Sequence, residues 1–252
     1  MKQSKLKIDS IEKLESNTFL ISLKSNQSNE VITPGQFYNI KVSDNDFPLL
    51  RRPFSICDFI NDRLYFMFDI HGEGTKMLSQ KRIGEELDLL GPLGNGFDLS
   101  GDFDTAIIIA GGIGAAPFPY LIRKMPENKN VVSFLGAKSK SAVVKYGLKK
   151  IFISTDDGSE GFHGNVVHLF KSKILDFVDK KIKIYACGPT PMLISLQEFV
   201  IQNKIDCQIS TECSMACGFG ICQGCPIEKS SGDGYLLVCK DGPVFNANAV
   251  KL

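Results

Sequence analysis

Residues 105–117 read TAIIIAGGIGAAP, from Thr105 to Pro117. The first six, Thr105–Ala110, form an unbroken apolar, β-branched run, the pattern of a strand buried on both faces of a parallel sheet. Gly111-Gly112-Ile113-Gly114 follows at once, and Ala115–Lys124 then reads as a helix. Strand, glycine turn and helix in that order are what a nucleotide-binding loop requires. The turn departs from strict G-x-G-x-x-G, so a tight βα connection is the plainer alternative.

Downstream the same alternation continues. Val131–Leu135, Lys150–Ser154, Lys183–Cys187 and the shorter Cys207–Ile209 read as further buried strands, with helical patterns at Asn165–Phe170 and Pro191–Gln202. Alternating strands and helices imply a doubly wound α/β domain with right-handed crossovers. Cys187-Gly188-Pro189-Thr190-Pro191-Met192 also closes a strand and opens a helix, at the sheet edge where open α/β folds bind ligands. Asp156-Asp157-Gly158-Ser159, with Gly161 and Gly164, forms another loop at that edge.

Upstream the period changes. Thr18–Leu23, Gln36–Val42, Phe54–Phe59, Leu64–Ile70 and Glu86–Leu90 are short runs divided by turns such as Pro34-Gly35 and Asn61-Asp62. That spacing predicts an all-β antiparallel barrel over residues 1–99, with one helix at Thr75–Lys81. The α/β domain is expected over 100–210. The remaining 211–252 are Gly- and Cys-rich with little periodicity, a third module too small to hold together without a staple.

Five of the eight cysteines (Cys213, Cys217, Cys222, Cys225, Cys239) crowd into that last module. Cys217-x4-Cys222-x2-Cys225, followed by a distant Cys239, is the ligand pattern of a plant-type [2Fe–2S] cluster. Gly218, Gly220 and Gly224 let backbone N–H groups approach the sulfides, and the fourth thiolate is expected from a separate hairpin. A zinc knuckle is the competing reading, but zinc ribbons pair their cysteines two and two in sequence, and this arrangement is three plus one. Cys213, Cys57 and Cys207 read as small buried hydrophobes.

Composition narrows the function classes. The 252 residues are 43% hydrophobic and 23% charged with a net charge of +1, which gives no basic field for nucleic acid. No apolar run approaches a membrane span, and the polar N-terminus lacks a signal-peptide core. A cytoplasmic protein with reduced thiols and no membrane partner is the expectation.

Two further motifs lie in the β half. In Arg51-Arg52-Pro53-Phe54-Ser55, an arginine at a strand end can hold a diphosphate while a nearby hydroxyl reaches a planar ring. A surface Arg pair beside a turn is the bland alternative. Gly72-Glu73-Gly74-Thr75 opens the helical turn and frees N–H groups for a phosphate. Gly91-Pro92-Leu93-Gly94-Asn95-Gly96-Phe97 reads as a rigid turn between the halves, or simply a linker.

RRPFS, GEGT, GPLGNGF, GGIGAAP and CGPTPM, in this order, resemble the ferredoxin-NADP reductase superfamily of flavoproteins. The terminal MACGFGICQGC with VCKDGPVF narrows the resemblance to the electron-transfer subunits of type B dihydroorotate dehydrogenase, over essentially the whole chain. The resemblance implies an FAD-binding barrel, an NAD-binding α/β domain and a C-terminal [2Fe–2S] domain. By position, Arg52, Pro53, Phe54 and Ser55 would contact FAD, Gly74 and Thr75 would lie at its pyrophosphate, and Met67-Phe68-Asp69 would pass the flavin mainly by backbone. Gly111, Gly112 and Gly114 would hold the dinucleotide phosphates, and Cys187, Gly188 and Pro189 would place the nicotinamide. Cys217, Cys222, Cys225 and Cys239 would be the cluster ligands.

This sequence departs from the family at two places. Similar members carry a basic residue where Asp69 stands, and Glu-Arg where Cys213-Ser214 stands. The implied activity passes electrons between NADH and an FMN-containing catalytic subunit that interconverts dihydroorotate and orotate in UMP biosynthesis, in a heterotetramer with two subunits of each kind. No general acid or base for a carbon substrate is visible, and His71, His163 and His168 are scattered. Alternatives are a related subunit of a sulfide dehydrogenase, transhydrogenase or hydrogenase, or a non-catalytic metal-binding module with structural glycine turns. The VCKDGPVF ending argues against the related subunits by resemblance alone.

Overall fold

The computed structural model describes residues 1–15, 17–25, 32–43, 45 and 47–252. Six strands close a barrel: β1 (Lys2–Lys13), β2 (Thr18–Lys24), β3 (Phe37–Lys41), β4 (Arg52–Ile60), β5 (Arg63–Asp69) and β6 (Glu86–Leu93), with helix α1 (Glu73–Ser79) between the last two. Around the barrel the order is β1-β2-β5-β4-β3-β6, so no edge is left unpaired. Inward residues such as Ile21, Leu23, Ile56 and Phe66 fill it, as the period of two requires. Strand β1 is not among the strands expected from sequence. Leu6 and Ile8 face inward while Lys5 and Lys7 face out, and this alternation is masked in a run that is mostly polar.

The second body is a seven-stranded sheet built on β7 (Thr105–Gly111), β8 (Asn130–Ala137), β9 (Ile151–Thr155), β10 (Phe162–His163), β11 (Ile182–Cys187) and β12 (Asp206–Ser210). Helices α2 (Phe118–Lys124), α3 (Val166–Lys173) and α4 (Thr190–Gln202) cover it. The helix expected over Ala115–Lys124 is in fact split: a 3-10 turn spans Gly112–Ala115 and α2 starts only at Phe118, after Pro117. On β7, Ile107 and Ile109 pack under α3 and α4 with Phe170 and Leu196. Ala106, Ile108 and Ala110 pack under α2 with Phe118 and Leu121. Two cores, one on each face, explain the continuous apolar runs.

The C-terminal stretch is more ordered than its composition suggests. It contains β13 (Pro226–Lys229), β14 (Tyr235–Leu237), β15 (Val244–Asn246) and β16 (Val250–Lys251). Strand β15 pairs antiparallel with β12 and becomes the seventh strand of the large sheet. From α4, Gln197 Nε2 donates to the carbonyls of Ala247 and Val250 at 2.6 and 2.7 Å. The module is therefore stapled by sheet and helix contacts as well as by any metal. GPLGNGF is more than a linker, since Asn95 Nδ2 donates to Asp241 O at 2.9 Å and joins the barrel to this module.

Barrel and sheet are locked by side chains. Arg123 of α2 grips Asp58 of β4 through both oxygens, at 2.8 and 2.7 Å. Asp58 is 2% exposed and Arg123 about half exposed. Tyr120 OH donates to Ile32 O at 3.1 Å beside it. Truncating Asp58 removes charge-assisted hydrogen bonds while Arg123 can still turn to water. Asp58→Ala is therefore expected to cost about 1–2 kcal/mol in chemical denaturation. An unchanged midpoint would show that the clasp contributes nothing.

Candidate functional site

Where β4 leaves the turn, the two arginines of RRPFS separate in role. Arg51 is structural: it donates to Asp88 O at 2.8 Å and pairs with the Asp88 carboxylate at 2.7 Å on β6. Arg52 lies over Gly74, where an added Cβ would stand 3.1 Å from its Nε. The RRPFS and GEGT motifs thus meet, and the missing Cβ of Gly74 eases the close approach. Thr75 Oγ1 accepts from His71 N at 2.8 Å and donates to Gly72 O at 3.2 Å, which closes the start of α1.

Pro53, Phe54 and Ser55 of β4 and Met67, Phe68 and Asp69 of β5 line one wall of a cavity of about 330 Å³. That size and mostly apolar lining suit a flat ring system. Thr75 lies on it, whereas Arg52 and Gly74 stand beside it. Asp69 is tied down, accepting from Thr18 Oγ1 at 2.5 Å. Its side chain therefore faces a neighbouring strand. The opposite wall comes from Ile113 and Cys187 at the sheet edge and from Cys213 and Met215 before the first expected ligand. Sequence reasoning gave Cys213 no role, and the structure places it on this wall. Burial pushes the Cys187 thiol up to about 12, with nearby Glu212 adding to the effect, so it stays neutral.

A second cavity of about 540 Å³ adjoins the first, and Asp69 and Ile113 line both. Gly111, Gly112 and Pro189 line it, along with Lys138 and Asp156 from the ends of β8 and β9. The three glycines of the turn differ in purpose. A Cβ on Gly114 would stand 2.4 Å from Cys187 O, and one on Gly111 would stand 2.7 Å from Met192 Sδ. These two let the GGIGAAP and CGPTPM loops pack on each other. Gly112, at φ +54, has open space before it and faces the cavity. Gly188 serves the same loop packing, since a Cβ there would stand 3.0 Å from the nitrogen of Gly111.

The four expected ligands come together as two pairs. Cys225 and Cys239 flank the β13–β14 hairpin, their sulfurs 3.1 Å apart. The fourth thiol therefore shares a hairpin with the third, where a separate one was expected. Cys217 and Cys222 form the other pair: Cys217 Sγ accepts from the nitrogens of Cys222 and Phe219, each at 3.5 Å. Gly224 N approaches Cys222 Sγ at 3.4 Å. Burial works against the Cys217 thiolate, but these N–H donors outweigh it and hold the group down at about 6. Burial, with Cys225 beside it, pushes Cys239 up to about 12. Among the described residues no three His, Cys, Asp or Glu side chains are grouped to hold a single ion. A two-iron cluster takes two thiolates on each iron, so two pairs with N–H groups aimed at sulfur fit it.

Comparison with known proteins agrees with this construction. Residues 212–251 match the iron-sulfur cluster binding domain of dihydroorotate dehydrogenase B. The electron transfer subunit of dihydroorotate dehydrogenase B (NAD(+)) from Caldanaerobacter subterraneus subsp. tengcongensis is 39% identical, over 86% of each chain. The protein of that name from Bacillus velezensis is 36% identical over the whole of both. An NADH-dependent reduced ferredoxin-NADP oxidoreductase shares the fold at TM-score 0.85 and 24% identity, over 98% of this chain and 89% of that one. A ferredoxin NADP+ reductase from Neisseria gonorrhoeae, solved with bound FAD and NADP, aligns at TM-score 0.65 and 15% identity, over 80% and 92%. With barrel, sheet and paired cysteines already in place, those identities over most or all of each chain settle its kinship: the chain belongs to the family of dihydroorotate dehydrogenase B electron transfer subunits.

Proposed function

We propose that this chain carries electrons between NADH and a catalytic partner subunit that interconverts dihydroorotate and orotate, using FAD and a [2Fe–2S] cluster. The observation that carries the reading is the contiguity of the sites. The cavity beside RRPFS shares Asp69 and Ile113 with the glycine-loop cavity on one side, and on the other its wall is the segment leading into the cysteine loop. When bound, FAD accepts a hydride and the cluster accepts single electrons, which is the conversion such a chain needs.

Each residue then has a task. Arg52, over Gly74 and next to Thr75, holds the FAD diphosphate, and Pro53, Phe54, Ser55 and Met67–Asp69 form the wall for the ring. Gly111 and Gly114, with Cys187, Gly188 and Pro189, shape the groove in which NADH lies, and Gly112 offers its backbone there. Cys217, Cys222, Cys225 and Cys239 hold the cluster, and the exposed Ile221 on the same loop marks where the partner docks. The boundaries we assign are 1–99 for the FAD barrel, 100–210 for the NAD domain and 211–252 for the cluster domain. Two copies of each subunit make a heterotetramer in this reading. No described helix is long and apolar enough to cross a membrane. Eight cysteines with no disulfide among them favour a reducing compartment, the cytoplasm.

The test is cofactor content. Anaerobically purified protein should hold about one FAD and two irons per chain. Stoichiometric zinc in place of iron would overturn the cluster assignment.

NADH is expected to be preferred over NADPH. Asp156 and Lys138 line the same cavity. The carboxylate can accept from ribose hydroxyls and repels a 2′-phosphate. Dye-reduction kinetics should show kcat/KM at least about tenfold higher with NADH, with the gap narrowing in Asp156→Ala. Equal efficiencies in the unmodified protein would refute the preference.

A further inference from the structure

We propose that Asn39 is a positioning residue that fixes the cysteine loop against the flavin cavity and thereby sets the rate of electron passage between them. The proposal rests on the electron-path reading above. Asn39 lies in the middle of β3 and is 1% exposed. Its strand neighbours Tyr38 and Ile40 point into the barrel core. Phe37 and Asn39 therefore point the other way, out of the barrel. Phe37 lines the flavin cavity and packs in the core that holds Cys225 and Cys239. One face of one strand thus touches both sites, two residues apart.

The contact made by Asn39 is specific. Its Nδ2 donates to Cys217 O, the carbonyl of the first expected ligand, at 3.1 Å. Gly218, at φ +80, lies so close that a Cβ there would stand 2.0 Å from the same nitrogen. Across the strand, Asn39 pairs with Pro53 of the flavin wall. Its Oδ1 is buried and has no hydrogen-bond partner among the described residues. A buried amide with half its capacity unused is an expensive way to fill space, which an apolar side chain would do without penalty. The used half, the donor to the cysteine loop, is what accounts for an amide at this position.

With FAD and the cluster bound, NADH would supply two electrons as a hydride to the flavin, and these would pass singly to the cluster. The flavin would be oxidised as the cluster is reduced, with no bond between heavy atoms made or broken; Asn39 would only hold the cysteine loop in place for that passage. The rate of such a transfer falls steeply with separation, so a loop held on a rigid strand matters more than its stability alone would suggest.

The test uses the full chain loaded with FAD and cluster, as wild type, Asn39→Ala and Asn39→Asp. The aspartate keeps the volume but cannot donate to Cys217 O when ionised. Anaerobic mixing with NADH, followed at flavin and cluster wavelengths, separates the two steps. The expected result is an unchanged rate of flavin reduction and a cluster reduction slowed severalfold in both variants. Deuterium uptake over residues 215–225 should rise in parallel. Unaltered cluster reduction in both variants, or flavin reduction slowed equally, would overturn the proposal. Loss of iron from both would do so as well, since Asn39 would then serve assembly. A wild-type protein with no cluster signal fails the underlying reading itself.

Discussion

Serine in place of Cys217, Cys222, Cys225 or Cys239 is expected to leave FAD bound and to strip the protein of iron, from about two atoms per chain toward none. NADH should still bleach the flavin and reduce dyes, while transfer to the catalytic subunit should collapse. The cysteines sit in two pairs at the end of a hairpin and on a short loop, and metal binding there is also folding energy for the segment. Loss should be graded. The Cys225–Cys239 pair is buried in the main core, so its replacement should also loosen the β13–β14 hairpin. Cys222 is exposed and its replacement should cost mainly the cluster. Cys213→Ala is the control: it lines the flavin cavity and should keep the visible spectrum. Bleaching in that variant, measured by absorbance and iron analysis, would mean that the ligand set is wrong.

Gly114→Ala is expected to cripple the NADH half of the reaction. An added Cβ would stand 2.4 Å from Cys187 O and 2.7 Å from Gly188 Cα, both backbone atoms that cannot swing aside. Overpacking of this kind costs about 1–3 kcal/mol and moves the backbone. Here what moves is the seam between the two loops that shape the nucleotide groove. NADH-to-dye turnover should fall about ten- to a hundredfold, with FAD retained. Gly112→Ala tests the complementary role. Nothing lies within 4 Å of its Cβ position, so any loss there reflects the strained φ of +54 and the facing cavity. Wild-type turnover in Gly114→Ala would show that the loops do not need this close packing.

Much of the architecture is legible in the sequence because its strongest signals are local. TAIIIA can be little other than a doubly buried strand, and the barrel runs alternate as half-buried strands must. The ligand spacing is likewise readable, since three of the four cysteines lie within nine residues of one another. What escapes is whatever depends on partners distant in the chain. Strand β1 carries only Leu6 and Ile8 as deeply buried residues, so its polar outer face conceals it. Strand β15 is three residues long and exists because β12 offers it an edge. That Gly111 and Gly114 serve packing while Gly112 faces a cavity depends on Cys187, Pro189 and Met192, more than 70 residues away. Asn39 gives no sequence signal, being one polar residue in an apolar strand whose partner, Cys217, lies 178 residues on.

The central claim is that this chain oxidises NADH and delivers the electrons to a partner without touching the pyrimidine itself. The direct measurement is NADH-linked reduction of orotate, assayed anaerobically with the purified chain alone and then with the FMN-containing catalytic subunit added. The account predicts that the isolated chain bleaches its flavin and cluster with NADH and leaves orotate unchanged, and that adding the partner yields dihydroorotate in a stable complex. Orotate reduction by this chain freed of every partner, or no transfer once the complex has formed, would contradict it.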